Sequence, residues 1–190
     1  MNVRKQTGLS LIEVMVALVI SSILILGVTD LFNSSFMSGR SNSELAQIQE
    51  NGRLAMELIG ADARLAGLQT CTTNNWTANS VKDPVALGSN QKSITLQYVD
   101  PKNCGNASAA IKTVTYTFAN DSLTKTESGA TAQPLLDNID GSFTLLPNNS
   151  APETANALLV TIKIKSAQAN FSARDFSSTY EFKNRLIARD

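Results

Sequence analysis

Glu13 is the residue whose type and position most clearly call for chemistry. It is the one charge in the apolar run from Leu9 to Val28, and Arg4, Lys5 and Gly8 precede that run. Twenty residues of helix, at about 1.5 Å each, cross roughly 30 Å of hydrocarbon. A lone acid in such a span costs on the order of a few kcal/mol, and a plain anchor has no use for it. The chemistry it implies is a charge that finds its partner in apolar surroundings. Other reactive side chains offer less. Asp137 and Asp140 lack calcium-loop spacing and suit a turn between strands. Trp76 and Tyr98 are single aromatics, better suited to core or rim packing than to stacking a sugar. Cys71 and Cys104 are two ligands short of a metal site. The chain has no His, which removes the usual base for a thiol or hydroxyl nucleophile. No phosphate loop is present. These residues point away from an enzyme and imply no cofactor and no metal.

Three readings compete for the N-terminal run. A cleaved secretory signal has an apolar core of about 7–15 residues and a small-residue cleavage site. This run is longer, and Gly27-Val28-Thr29-Asp30 is a poor site. An ordinary anchor, with Arg4 and Lys5 holding its N-terminus in the cytoplasm, fits the charges but leaves Glu13 unexplained. The third reading is a resemblance. The stretch Thr7-Gly8-Leu9-Ser10-Leu11-Ile12-Glu13-Val14-Met15-Val16-Ala17-Leu18 resembles the class III signal of type IV prepilins and pseudopilins. Leu9 stands where that family most often has Phe.

The resemblance implies cleavage between Gly8 and Leu9 by a prepilin peptidase, then N-methylation of Leu9. Glu13 takes the place of the family's acid and would pair with the freed amine of a neighbouring subunit. Such a buried pair adds little net stability. It penalises wrong registers, because an unpaired buried charge costs roughly 3–5 kcal/mol. With an exported domain, Cys71 and Cys104 read as a disulfide. It closes a loop of about 34 residues, worth roughly 3–4 kcal/mol on the chain-entropy picture.

Lys+Arg and Asp+Glu balance at 16 each among 190 residues, which gives no reason to expect nucleic acid as a direct partner. Before Pro84 nothing forbids one long helix from Leu9 to about Leu68. Its first half is apolar all round. Asn33-Ser34-Ser35 and Ser38-Gly39 weaken helix propensity, so a bend or melted turn is expected there, with Ser41 or Ser43 capping a restart. From Ser43 to Gly67 the pattern is amphipathic. Leu45, Ile48, Ala55, Leu58, Ile59, Leu65 and Ala66 share one broad face, which should dock on a sheet. Beyond Gly67 the period becomes that of strands: 93–100, 111–119, 123–127, a strand–turn–strand over 133–146 with its turn at Asn138 to Gly141, 158–167 and 179–186. Asn120-Asp121 marks a hairpin. Thr70 to Asn79 and Pro147 to Asn156 read as loops.

The expected fold class is α+β and pilin-like: a long N-terminal helix packed on an antiparallel sheet. The expected division is a leader over 1–8, a membrane or fibre-core helix over 9–28, its amphipathic continuation over 29–68, and an exported β-rich domain over 69–190. Gln49-Glu50-Asn51-Gly52-Arg53, then Asp62-Ala63-Arg64-Leu65-Ala66-Gly67, then Cys71, resemble the PilW-type minor pilins. Ser178 to Leu186 is similar to the family's final strand. The resemblance leaves Arg53 and Arg64 either as solvated face residues or as contacts to a neighbouring subunit.

It also implies a role and a place. The chain would help initiate or cap a type IV pilus, serving adhesion or motility. Its partners would be the prepilin peptidase, other minor pilins, the major pilin, the inner membrane and the assembly platform there. The N-terminus would be cytoplasmic and the domain periplasmic until the subunit enters the fibre. A J-type pseudopilin of type II secretion is the alternative within this architecture. An anchored periplasmic binding or adhesive module is the alternative from another class.

Overall fold

The computed structural model describes residues 10–68, 81, 83–100, 111–147, 151–152, 154–166 and 171–184. The chain divides into two compact units, Met1–Ala46 and Gln47–Asp190.

One helix, α1, runs from Leu11 to Leu65. The Ser10 carbonyl accepts from the N–H groups of Glu13 and Val14 and starts the ladder. In the first unit the helix stays intact through Asn33 to Gly39, so the expected melted turn and restart at Ser41 or Ser43 do not occur. Serine and asparagine each cost only about half a kcal/mol against alanine, too little to break a long cooperative helix. Hydroxyls in the run are also satisfied locally: Ser22 donates to the Val19 carbonyl at 2.8 Å and Thr29 to that of Ile25 at 2.7 Å.

In the second unit, Ile48, Gly52, Ala55, Ile59, Gly60, Asp62 and Ala63 form the buried stripe of α1, and Ala66 just beyond it is also buried. The three-and-four spacing anticipates Ile48, Ala55, Ile59 and Ala66, while Leu45, Leu58 and Leu65 are only half-buried. Gly67 follows the helix with a φ of 78°, the left-handed conformation that glycine adopts most cheaply at a helix end. Its N–H donates to the Gln97 carbonyl at 2.9 Å, and Val99 N–H donates to the Leu68 carbonyl at 2.8 Å, so the helix exit is tied to a strand.

Eight strands follow, all antiparallel to their neighbours: β1 (Val85–Leu87), β2 (Ser93–Val99), β3 (Ile111–Ala119), β4 (Ser122–Glu127), β5 (Gln133–Asp137), β6 (Ile139–Leu146), β7 (Ala157–Ile164) and β8 (Arg174–Glu181). They form two meanders, β1 to β5 and β6 to β8. Asn120 and Asp121 both have positive φ, 52° and 56°, and close the β3–β4 hairpin as expected for a two-residue primed turn. Between β5 and β6 the break is narrower than the sequence suggested. Asn138 alone turns the chain, at φ 59°, while Asp140 and Gly141 lie within β6. The last strand lies at 174–181 rather than 179–186, and the short β1 has no alternation long enough to be read.

The two sheets meet through Phe118 and Phe143, whose ring centroids are 5.0 Å apart. Gly141 makes this possible, since a Cβ there would lie 2.7 Å from the Phe118 ring. The polar ends are tied as well. Phe143 N–H donates to the Gln91 carbonyl and Ile139 N–H to that of Asp121. Lys92 pairs with Asp140, and Lys165 with Asp121, each at 2.7 Å. The core of this unit joins the α1 stripe to Ile94, Leu96, Val114, Tyr116 and Leu123 of one sheet and to Phe143, Leu158, Val160, Ile162 and Tyr180 of the other.

Candidate functional site

Two sites result, one in each unit. The first is the apolar face of α1. It is long and apolar enough to cross a membrane, and none of its apolar stretch is buried. Leu11, Ile12, Val19, Leu24, Leu26 and Val28 all stand exposed, which a soluble surface does not tolerate over such an area. Glu13 is exposed in the first turn, where the helix dipole favours an acid. Among the described residues none pairs with its carboxylate. Gly8 and Leu9 lie outside the described residues, as do Cys71, Trp76 and Cys104.

The second site is the seam where α1 packs on the sheets, and the sequence reading did not isolate it. Asp62 is 7% exposed, the buried charge of the helix stripe. The Tyr98 hydroxyl donates to its Oδ1 at 3.0 Å and the Tyr116 hydroxyl to its Oδ2 at 2.6 Å. Lys125 Nζ lies 3.1 Å from Oδ2 and 3.0 Å from Glu127 Oε1, and Glu127 also pairs with Lys112 at 3.1 Å. Alternation brings them together. Tyr98, Tyr116 and Lys125 all point inward from β2, β3 and β4, with Tyr98 opposite Lys112 and Tyr116 opposite Lys125.

The electrostatics follow from this placement. Burial, and then the Asp62 carboxylate, push both phenols well above the ordinary tyrosine value. For Lys125, burial alone would lower the ammonium, but Glu127 and Asp62 outweigh it and the net shift is upward. Hydrogen bonds from Lys125 and Lys112 lower Glu127. The signal for Asp62 was present in the sequence, since an acid at position 62 continues the 48, 52, 55, 59 stripe.

Two glycines complete the seam. A Cβ on Gly52 would lie 2.8 Å from the Phe176 ring, and one on Gly60 would collide with the Tyr180 ring. Both rings belong to β8, so small residues on α1 are the seats of large ones on the last strand. The Tyr180 hydroxyl donates to the Met56 carbonyl at 2.7 Å.

The remaining candidates are placed as follows. Arg53 is exposed and pairs with Glu50 at 2.9 Å and Glu57 at 3.4 Å. Its hydrogen bond to Glu50 lowers that carboxyl. The Arg64 guanidinium lies 5.5 Å from the Tyr180 ring centroid, and its backbone carbonyl accepts from Asn184 Nδ2 at 3.0 Å. Asp137 ends β5, and Asp140 is bound by Lys92 and by the Gly141 N–H. Tyr98 is part of the core.

Residues 3–29 match the family described as the prokaryotic N-terminal methylation motif. The chain is similar to the pilin-like protein PilA3 of Thermus thermophilus, at 28% identity over 160 residues. That match covers 82% of this chain and 66% of the relative, so the chain spans just under two thirds of that protein. No solved structure matches significantly. The fold and the N-terminal motif together define a pilin-like protein, α+β, with its apolar helix first. The N-terminal motif and the similarity to a pilin-like protein support a place in the type IV pilin superfamily.

Proposed function

We propose that this chain is a PilW-type minor pilin that helps to initiate or cap a type IV pilus. The observation that carries the reading is the acid in the exposed apolar helix: Glu13 stands without a partner among the described residues, inside the methylation motif. A prepilin peptidase would cut between Gly8 and Leu9, and Leu9 would be methylated. The helix would hold the subunit in the inner membrane, N-terminus inside, with the β-rich unit outside. The assembly platform would then move it into the fibre. There Glu13 would meet the Leu9 amine of a neighbouring minor or major pilin and set axial register.

Residues of the strings Gln49 to Arg53 and Asp62 to Gly67 meet at the seam, which supports this reading. Gly52 seats Phe176, Asp62 anchors Tyr98 and Tyr116, and Gly67 ends the helix. That leaves Arg53 and Arg64 on the outer face as candidate contacts to a neighbouring subunit. Cys71 and Cys104 would form a disulfide after export. Adhesion and motility would be properties of the finished fibre. The test is incorporation. Pili sheared from cells should contain this protein, and Glu13→Ala should remove it from them while leaving it in the membrane. Its absence from sheared pili, with abundant protein in the envelope, would point instead to an anchored module.

A further inference from the structure

The Asp62 cluster holds more than an ion pair requires. An ordinary buried pair needs two opposite charges and hydrogen bonds for their remaining polar groups. Here Lys125 Nζ lies 3.1 Å from Asp62 Oδ2, on two elements that chain topology does not connect directly. Both side chains are largely dry, with Asp62 10% and Lys125 20% exposed. Each carboxylate oxygen is held by a separate phenol, Oδ1 by Tyr98 and Oδ2 by Tyr116. A second carboxylate, Glu127, lies 3.0 Å from the same Nζ. A nucleophile, an electrophile, a donor on each oxygen and a base have therefore been brought to one place.

We infer that Lys125 and Asp62 are arranged to condense into an amide that cross-links α1 to β4. Lys125 Nζ passes one proton to Asp62 Oδ2, which turns the carboxylate into a carboxylic acid, and the free amine forms a bond to Cγ. The Tyr98 hydroxyl stabilises the charge that develops on Oδ1. Glu127 takes a second proton from nitrogen. Tyr116 delivers a proton to Oδ2 as the Cγ–Oδ2 bond breaks and is reprotonated from Glu127, and one water departs. Ammonium and carboxylate become an amide and water, so atoms and charge balance and no oxidant or activating nucleotide is needed. Holding the two groups in contact supplies what an intermolecular reaction lacks. The product removes two charges from a buried site, and its carbonyl still accepts from a phenol. The inference does not depend on the chain's place in a pilus.

The test is tandem mass spectrometry on tryptic digests of the full chain isolated from its own cells. A cross-link predicts a branched peptide joining Leu54–Arg64 to the segment that begins at Thr113. Its mass falls about 18 Da, one water, below the sum of its parts, and cleavage after Lys125 is lost. Glu127→Gln should reduce the linked fraction at least tenfold while circular dichroism shows the same fold. Separate peptides, with normal cleavage after Lys125 in the wild-type chain, would overturn the inference and leave a plain ion pair. Full linkage in Glu127→Gln would overturn the assignment of Glu127 as the base.

Discussion

Glycine and aspartate decide the seam at the scale of single residues. Gly52 and Gly60 are not turn residues. They lie in mid-helix, where glycine costs about 1 kcal/mol against alanine. That cost is offset because the Phe176 and Tyr180 rings occupy the space a side chain would need. Gly60→Ala should therefore destabilise the β-rich unit by about 1–3 kcal/mol despite its better helix propensity, as measured by denaturant melts. A neutral or stabilising effect would mean that Tyr180 does not pack there. Asp62→Ala strips the Tyr98 hydroxyl of its acceptor, leaves the Tyr116 hydroxyl only the Leu58 carbonyl, and takes one partner from Lys125, and should cost about 3 kcal/mol. Asp62→Asn keeps an oxygen for the phenols and should cost less in the same measurement. Arg53→Ala should change stability by less than about 0.5 kcal/mol, because both its ion pairs are on the solvent face.

At the scale of elements, pH dependence reports on β2, β3 and β4 together. Unfolded phenols ionise near pH 10, whereas buried Tyr98 and Tyr116 hold their protons to higher pH. Their contribution is fully present below about pH 10 and is lost as pH rises toward the raised folded values. Lys125, raised from 10.5, acts in the same direction. Glu127 and Asp140 are lowered from 4.5 and 3.8, so their contribution is present above those values and fades as pH falls through the lower folded ones. With no His in the chain, denaturant midpoints should be flat between about pH 5 and 8 and fall at both extremes. A midpoint that moves steeply near neutrality would contradict this assignment.

Legibility also differed by element. Strands with clean alternation, such as Leu158, Val160, Ile162 and Ile164 against Thr161 and Lys163, were readable because burial on one face writes itself into every second residue. The β3–β4 hairpin was readable from Asn120-Asp121. β8 escapes the alternation because a polar residue, Ser178, sits between its inward rings Phe176 and Tyr180. The division into two sheets was not readable, since one residue, Asn138, separates β5 from β6. The role of Asp62 is hidden in the sequence because an acid in a helix reads as solvent-facing unless its partners, 36, 54 and 63 positions away, are known.

At the scale of the whole molecule, the chain combines two surfaces with opposite requirements. One unit exposes apolar residues along a helix long and apolar enough to cross a membrane. The other buries its own stretch of helix against two sheets. Removing residues before Gln47 should leave the second unit folded and soluble, with a cooperative melt, because its core draws on no residue before Ile48. An aggregated or molten fragment would show that the first unit is needed for folding.

As proposed, the first unit is a processed pilin helix. The intact mass and N-terminal sequence of the protein from its own cells, with and without the prepilin peptidase, test this directly. A chain that begins at N-methylated Leu9 is expected only when the peptidase is present. A chain that still begins at Met1 in cells with an active peptidase would contradict it.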